Sequence, residues 1–386
     1  MTRTIKNELV KAPAQSDLSL DGLQDLFNPP RLSKPEMHLL LKPFFVLDKH
    51  ADRFKPIDHL VSSIADGKAV ARRWYVQPHS LYGLPGAFDR DVTVALYEIV
   101  NENYFAKDVP VPELMAIGSM TDYVLRMGLA VSGKNIAAVK ESLKRLQNTL
   151  CTAEETFFDN KRKRYVSLSF RLLRGVGFAG EDDGNGGTHE QNFVVFDECI
   201  LRNLNSGYVM VIDVESFRQL RKDITKQLYA HLAYRFYRAS EEGLDHWVAD
   251  YQWLAVHLGI KVLTDLRRAK DQLKEAHEEL KTAGYISQYE WDGWRIIYRP
   301  GHVWKGEQLR RRSGKQRHKR KPSMARGFTE KRQATPVIED KDPLIATLAA
   351  FAANLPVAQE RLKSLGLSPE QAIALCNEKN IAVKPR

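Results

Sequence analysis

Cysteine is scarce: Cys151, Cys199 and Cys376 are the only three in 386 residues, far apart and without a CxxC pair. That argues against a disulfide framework and a zinc ribbon, and fits a reducing cytoplasm. Long apolar runs are missing too. No stretch approaches the ~20 residues of a membrane helix, and the opening MTRTIKNELVKAPAQSDL lacks the apolar core of a secretory signal. A cytoplasmic protein with no membrane partner is expected. No GxxxxGK[ST] occurs, so no P-loop is indicated, and the eleven histidines include no HxH pair that would mark a nicking-type metal site. GVGFAG at 175–180 matches GxGxxG but runs into Glu181, Asp182 and Asp183 instead of a helix. Those carboxylates would repel a pyrophosphate, so the stretch 181–191 reads as an acidic, Gly-rich loop between modules. A metal held by Asp182 and Asp183 is the remaining enzymatic alternative. The expectation is no enzyme, no catalytic residue, no metal and no cofactor.

Charge is present, but unevenly. The chain holds 58 Lys+Arg against 48 Asp+Glu, a net +10. Residues 305–332 alone carry 12 of the cations and 2 of the acids, which leaves 46 of each sign elsewhere. The basic excess is one segment, including Arg310, Arg311 and Arg312, suited to phosphate without sequence reading. With 43% hydrophobic residues the rest can bury real cores.

Periodicity divides that remainder. Residues 1–35 are polar and Pro-interrupted, and 36–82 read as strands and a short helix. From 89 a first block follows: a helix capped by Asp89 to about 101, a short helix 119–127, a third at 132–148, then a β-hairpin turning at Asp159-Asn160. A second block repeats the order. A long amphipathic helix spans 214–239, a shorter one 245–257 and a third 261–283, closed by Gly284. A hairpin follows, turning at Asp292-Gly293 between alternating aromatics. Helix, helix, helix, hairpin is the winged-helix pattern. The expected fold is therefore α+β: a first winged-helix domain over 36–180, a second over 192–303, a basic segment at 304–341, and a helical segment at 342–386.

Duplex DNA requires cations for phosphates and a rod that fits the major groove. Helix 261–283 places Lys261, Thr264, Arg267, Arg268, Asp271 and Lys274 opposite its apolar stripe, cations first and acids later. Recognition helices present their N-terminal half to bases, so Arg267 and Arg268 are the prime candidates for guanine or phosphate. A solvated face with i,i+4 pairs is the alternative. Helix 132–148 is the weaker reader, with Lys134, Lys144 and Arg145 on its exposed side. Its hairpin turn compensates with Lys161, Arg162, Lys163 and Arg164, four consecutive cations on a wing tip. Trp294 and Arg295 occupy the tip of the second wing.

YGLPGAFDRD at 82–91, followed by an amphipathic helix, resembles the start of the first winged helix in the plasmid replication initiator protein A family. LKEAHEELKTAGYI at 273–286, followed by an aromatic hairpin, resembles the second winged helix of that group. The resemblance spans about residues 80–300. It implies a non-enzymatic bacterial dimer, nucleoid- and plasmid-associated, that binds repeated double-stranded sites in a plasmid origin, helps open an AT-rich segment, recruits the host helicase and represses its own gene. Near the N-terminus, residues 17–21 and 23–27 each match part of a sliding-clamp-binding peptide, which implies the clamp as a second host partner. The residues alone leave a different class open: a winged-helix transcriptional regulator without an initiation role.

Overall fold

The computed structural model describes residues 31–65, 68–184 and 186–308, a mixed α+β architecture with one continuous apolar core. The residue 1–30 segment with both clamp-like matches, Arg310, Arg311 and Arg312, and the 342–386 segment lie outside the described residues.

Strand β1 (Leu32–Ser33) and helix α1 (Met37–Leu41) lead into β2 (Ile57–Ala65) and β3 (Lys68–Gln77). Helix α2 (Ala87–Asn103) follows. Asp89 sits one turn inside it rather than at its cap; its carboxylate reaches back to the Gly86 N–H at 2.7 Å, closing the first turn as a capping-box acid does. Next come β4 (Leu114–Ala116), α3 (Met120–Arg126) and α4 (Gly133–Asn148), the last two opened by Ser119 and Ser132 as caps. Strands β5 (Leu150–Asp159), β6 (Arg164–Phe170), β7 (Leu173–Gly177) and β8 (Phe193–Phe196) lead to α5 (Glu198–Asn205) and β9 (Ile212–Asp213).

The hairpin expected to complete the first block is real but has another partner. Strands β5 and β6 join a four-stranded sheet of order β2-β3-β5-β6. Trp74 and Val76 of β3 are fully buried, as are Cys151 and Ala153 of β5, which they face in register. The strand that pairs with β4 is β8, and β8 pairs with β7. The acidic, Gly-rich stretch is therefore not a connector between modules: it is the tip of the β7–β8 hairpin. Alternation along β5 and β6 specified strands but could not specify which edge they join.

The second half runs α6 (Val214–Gln219), α7 (Asp223–Glu241), β10 (Trp247–Asp250), α8 (Tyr251–His257), α9 (Leu266–Thr282), β11 (Ile286–Asp292) and β12 (Arg295–Pro300). The single helix expected over 214–239 is two, because the Glu279 carboxylate accepts from the Arg221 and Lys222 amides and from Thr225 Oγ1, capping α7 from outside. Residues 247–250 are a strand instead of a helical turn, since they pair with β12. Helix α9 begins four to five residues late: Asp265 caps it by accepting from the Arg268 amide at 2.8 Å, which leaves Lys261 and Thr264 in the approach. Sheet order β10-β12-β11 matches β4-β8-β7. The two halves thus share helix, strand, helix, helix, hairpin, with the first strand beside the last.

Helix α2 joins these parts through buried charge. Glu98 is fully buried and takes Arg31 at 2.6 Å, Arg218 at 3.2 Å and Arg126 at 3.9 Å. Arg90, also fully buried, reaches Asp91 at 2.8 Å, Asp223 at 3.2 Å and the Asp223 carbonyl at 2.6 Å. Asp89 accepts from Arg145 at 2.7 Å and Arg53 at 3.3 Å. A backbone contact adds to this coupling. Gly259 ends α8 at φ +66°, where a Cβ would lie 1.9 Å from the Phe45 carbonyl oxygen. Its carbonyl accepts from the Leu47 amide at 2.9 Å.

Two predictions follow from this interior. Removing one partner of a buried ion pair strands the other, at a cost of ~3–5 kcal/mol, whereas exposed pairs contribute ~0–1 kcal/mol. Glu98→Ala and Arg145→Ala should therefore lower the urea midpoint sharply, and Glu102→Ala should barely move it. The second concerns acid. Burial holds His231 and His277 at about 3 and pushes His257 well below its usual range. These rings stay neutral in the fold but protonate at ~6.5 when unfolded. Their stabilisation is complete above that value and is lost as pH falls, at about 1.4 kcal/mol per pH unit for each ring. Urea titrations from pH 7 to 4 should show the loss, and His277→Phe should flatten the slope by about one ring's share.

Candidate nucleic-acid interface

Helix α9 and its approach carry six exposed charged or polar groups where the sequence placed them: Arg267, Arg268, Asp271 and Lys274 on the helix, and Lys261 with Thr264 on its approach. Among the described residues, no carboxylate pairs with Arg267, Arg268, Lys261 or Lys274. Lys270, which sequence reasoning passed over as half of an i,i+4 pair, is exposed as well, with its ammonium 5.8 Å from the Trp291 ring centre. The spacing from Arg267 to Lys270, one turn, was the signal available.

Three of the four acids of α9 are spent elsewhere, and Asp271 stays exposed among the cations. Glu275 pairs with Lys222 at 2.8 Å, Glu279 caps α7, and Glu278 accepts from the Tyr289 hydroxyl at 2.7 Å. Burial, with that bond, pushes the Tyr289 hydroxyl up to about 12. The intrahelical pairing offered as the alternative for this face does not form. Ala269, Leu273, Ala276 and Leu280 face the core, so the cationic face is turned away from it. The N-terminal half of α9 is positive by side chain and by helix end, which both favour an anion.

The β11–β12 turn is tighter than expected. Asp292 pairs with Arg295, so the loop is Gly293-Trp294, with Gly293 at φ +58°. Trp294 is half-buried, its ring 5.5 Å from that of Tyr251, which makes it a packing residue as much as a surface one. Arg295 is half-buried beside it and has no carboxylate partner among the described residues.

Helix α4 is different. Lys134 is exposed and without a described partner. Arg145 was expected on the exposed side; its side chain is only 11% exposed. It donates to the Tyr82 carbonyl at 2.9 Å and bonds Asp89 and Glu141. Its place is structural, tying α4 to the 82–91 segment. Lys144 is half-exposed and pairs with Glu181 at 3.3 Å, beside Lys140 at 3.1 Å. Lys140 was missed, because its partner comes from the loop taken as a connector.

Lys161, Arg162, Lys163 and Arg164 are all exposed, at the β5–β6 turn of the four-stranded sheet rather than on the hairpin beside β4. The turn is firmly built. Asp159 accepts from the Arg162 amide at 3.0 Å and pairs with Arg202 at 3.2 Å. Asn160 donates to the Ser206 carbonyl at 2.7 Å, and Lys163 takes φ +54°. Two separate cationic surfaces result: one on α9 with its approach, one at this turn.

Among the described residues no group of His, Cys, Asp or Glu could hold a metal, and no helix is long and apolar enough to cross a membrane. No curated protein matches the chain. Crystal structures of domains 2 and 3 of RctB are similar at 14% identity. One, a selenomethionine derivative, has a TM-score of 0.43 and covers 67% of this chain and 95% of that one. A second has a TM-score of 0.40, covering 69% and 98%. A family model described as "Replication initiator protein A" matches residues 34–285. That span takes in the 82–91 segment with its buried Asp89 and Arg90, both cationic surfaces and the helices between them, and ends just before the β11–β12 hairpin. The chain belongs to the replication initiator protein A family.

Proposed function

We propose that this replication initiator is a non-enzymatic plasmid protein that binds repeated double-stranded origin sites through two winged helices. Residues 87–196 form the first, with α4 as its groove helix and β7–β8 as its wing. Residues 223–300 form the second, with α9 and β11–β12. The observation that carries the reading is the N-terminal half of α9: Arg267, Arg268, Lys270 and Lys274 stand exposed with Asp271 as the one exposed acid among them, while Glu275, Glu278 and Glu279 are engaged by other elements. A helix of this kind fits the major groove and offers cations to base edges and phosphates. The β5–β6 turn adds phosphate contacts through Lys161, Arg162, Lys163 and Arg164, and Arg310, Arg311 and Arg312 add more without reading sequence. In this reading the bound protein promotes opening of an AT-rich segment and recruits the host helicase, with the sliding clamp and a second copy of the chain as further partners. Two groove helices in one chain suffice to engage successive faces of a site, so a monomer is the reading-competent unit.

A footprint over DNA upstream of the protein's own gene tests this. Tandem repeats beside an AT-rich stretch that becomes strand-separated are expected. A single palindrome over a promoter, with no opening, would identify a repressor instead. Arg267→Ala or Arg268→Ala should weaken specific binding by ~1–3 kcal/mol if the residue reads a base. Each of Lys161, Arg162, Lys163 and Arg164, changed to Gln, should weaken all sequences alike and reduce the salt slope by about 1.

A further inference from the structure

We infer that Lys140 and Lys144 form a phosphate seat on α4 that the chain's own Glu181 keeps filled, so that the DNA backbone and the β7–β8 tip compete for it. This rests on the reading of α4 and β7–β8 as groove helix and wing. The geometry is specific. One Glu181 oxygen meets Lys140 Nζ at 3.1 Å and the other meets Lys144 Nζ at 3.3 Å. Both ammonium groups also lie over the Phe178 ring, at 4.8 and 5.4 Å from its centre. The ring holds the two cations side by side whichever anion they face. Two oxygens bridging two ammonium groups one helical turn apart is an arrangement that a phosphate reproduces.

The tip that delivers Glu181 is a built structure. The Gly180 amide donates to the His189 carbonyl at 2.9 Å, the His189 amide to the Glu181 carbonyl at 3.0 Å, and the Asp183 amide to the Gly187 carbonyl at 3.1 Å. Asp182 and Asp183 also bond the Gly184 and Gly187 amides, so three carboxylates ride on one short tip. The seat lies between helix and hairpin, where a bound duplex runs its backbone from the groove the helix fills to the groove the wing approaches. All three side chains are partly exposed, 27% for Lys140, 38% for Lys144 and 40% for Glu181. Ion pairs of that kind are weak, which suits a contact that a phosphate displaces. Helix α4 therefore enters the encounter with Lys140 and Lys144 cancelled, and α9 with Arg267 and Arg268 uncancelled.

The test is Glu181→Gln in the full chain, with duplex affinity read by anisotropy across a salt series on a scrambled-sequence duplex. Freeing two cations should steepen the slope of log affinity against log salt by about 1–2 and raise low-salt affinity several-fold. In a background with Lys140→Gln and Lys144→Gln, Glu181→Gln should add nothing. An unchanged slope, or a gain that persists without the two lysines, would overturn the seat. Arg267→Ala is measured in parallel. If it weakens origin binding while Glu181→Gln leaves the slope alone, the seat fails and the functional reading stands. If neither variant changes binding, both fail. Thermal unfolding of each variant confirms that the fold is intact.

Discussion

The fold depends on charge buried along one helix. Helix α2 carries Asp89, Arg90 and Glu98 inside the protein, and each is matched by opposite charge from a different element. Arg145 comes from α4, Asp223 from the start of α7, Arg218 from α6 and Arg31 from the strand that opens the described chain. Apolar contacts would tolerate small shifts between these elements. Buried ion pairs do not, because a displaced partner leaves an unsolvated charge. These pairs fix the relative placement of elements from the two structurally similar halves, on top of the apolar core they share.

The same economy shapes the surface. In α9 the acids are drawn into structural work, with Glu279 capping a neighbouring helix, Glu275 holding Lys222 and Glu278 receiving Tyr289. What remains charged and outward in its first half is cationic but for Asp271. In α4 the cations are drawn in instead: Arg145 goes to Asp89, and Lys140 and Lys144 go to Glu181. The two helices therefore differ in which charges they leave outward: α4 keeps Lys134 alone of its cations unpaired, and α9 keeps Arg267, Arg268, Lys270 and Lys274.

How far the sequence disclosed this varies along the chain. The second half was largely legible, because its partners are near in sequence. The turn at Gly293, the helix end at Gly284 and the apolar stripe of α9 each read locally, and the structure places them within a few residues of expectation. The first half was legible in its helices and opaque in its sheets. β5 and β6 read as a hairpin, but nothing in their alternation disclosed that β3, far earlier in the chain, would claim the edge. Arg145 looked exposed because its helical position borders the apolar stripe of Leu143 and Leu146; only the distant Asp89 turns it inward. Acids were judged by local spacing, and those of α9 and of the 181–187 loop found partners on other elements.

The four-stranded sheet has a consequence for how the chain reaches this state. Its central pairing joins Gln77 to Leu150, so α2, β4, α3 and α4 must all be threaded between two strands that zip together. Contacts of such sequence separation form slowly, because loop closure is unfavourable before they reward it. Within the second half the pairing of β10 with β12, from Asp250 to Arg295 inward, encloses a shorter stretch of chain. The half that bears α9 thus closes over less chain than the half that bears α4, which makes the four-stranded sheet the slower part to form.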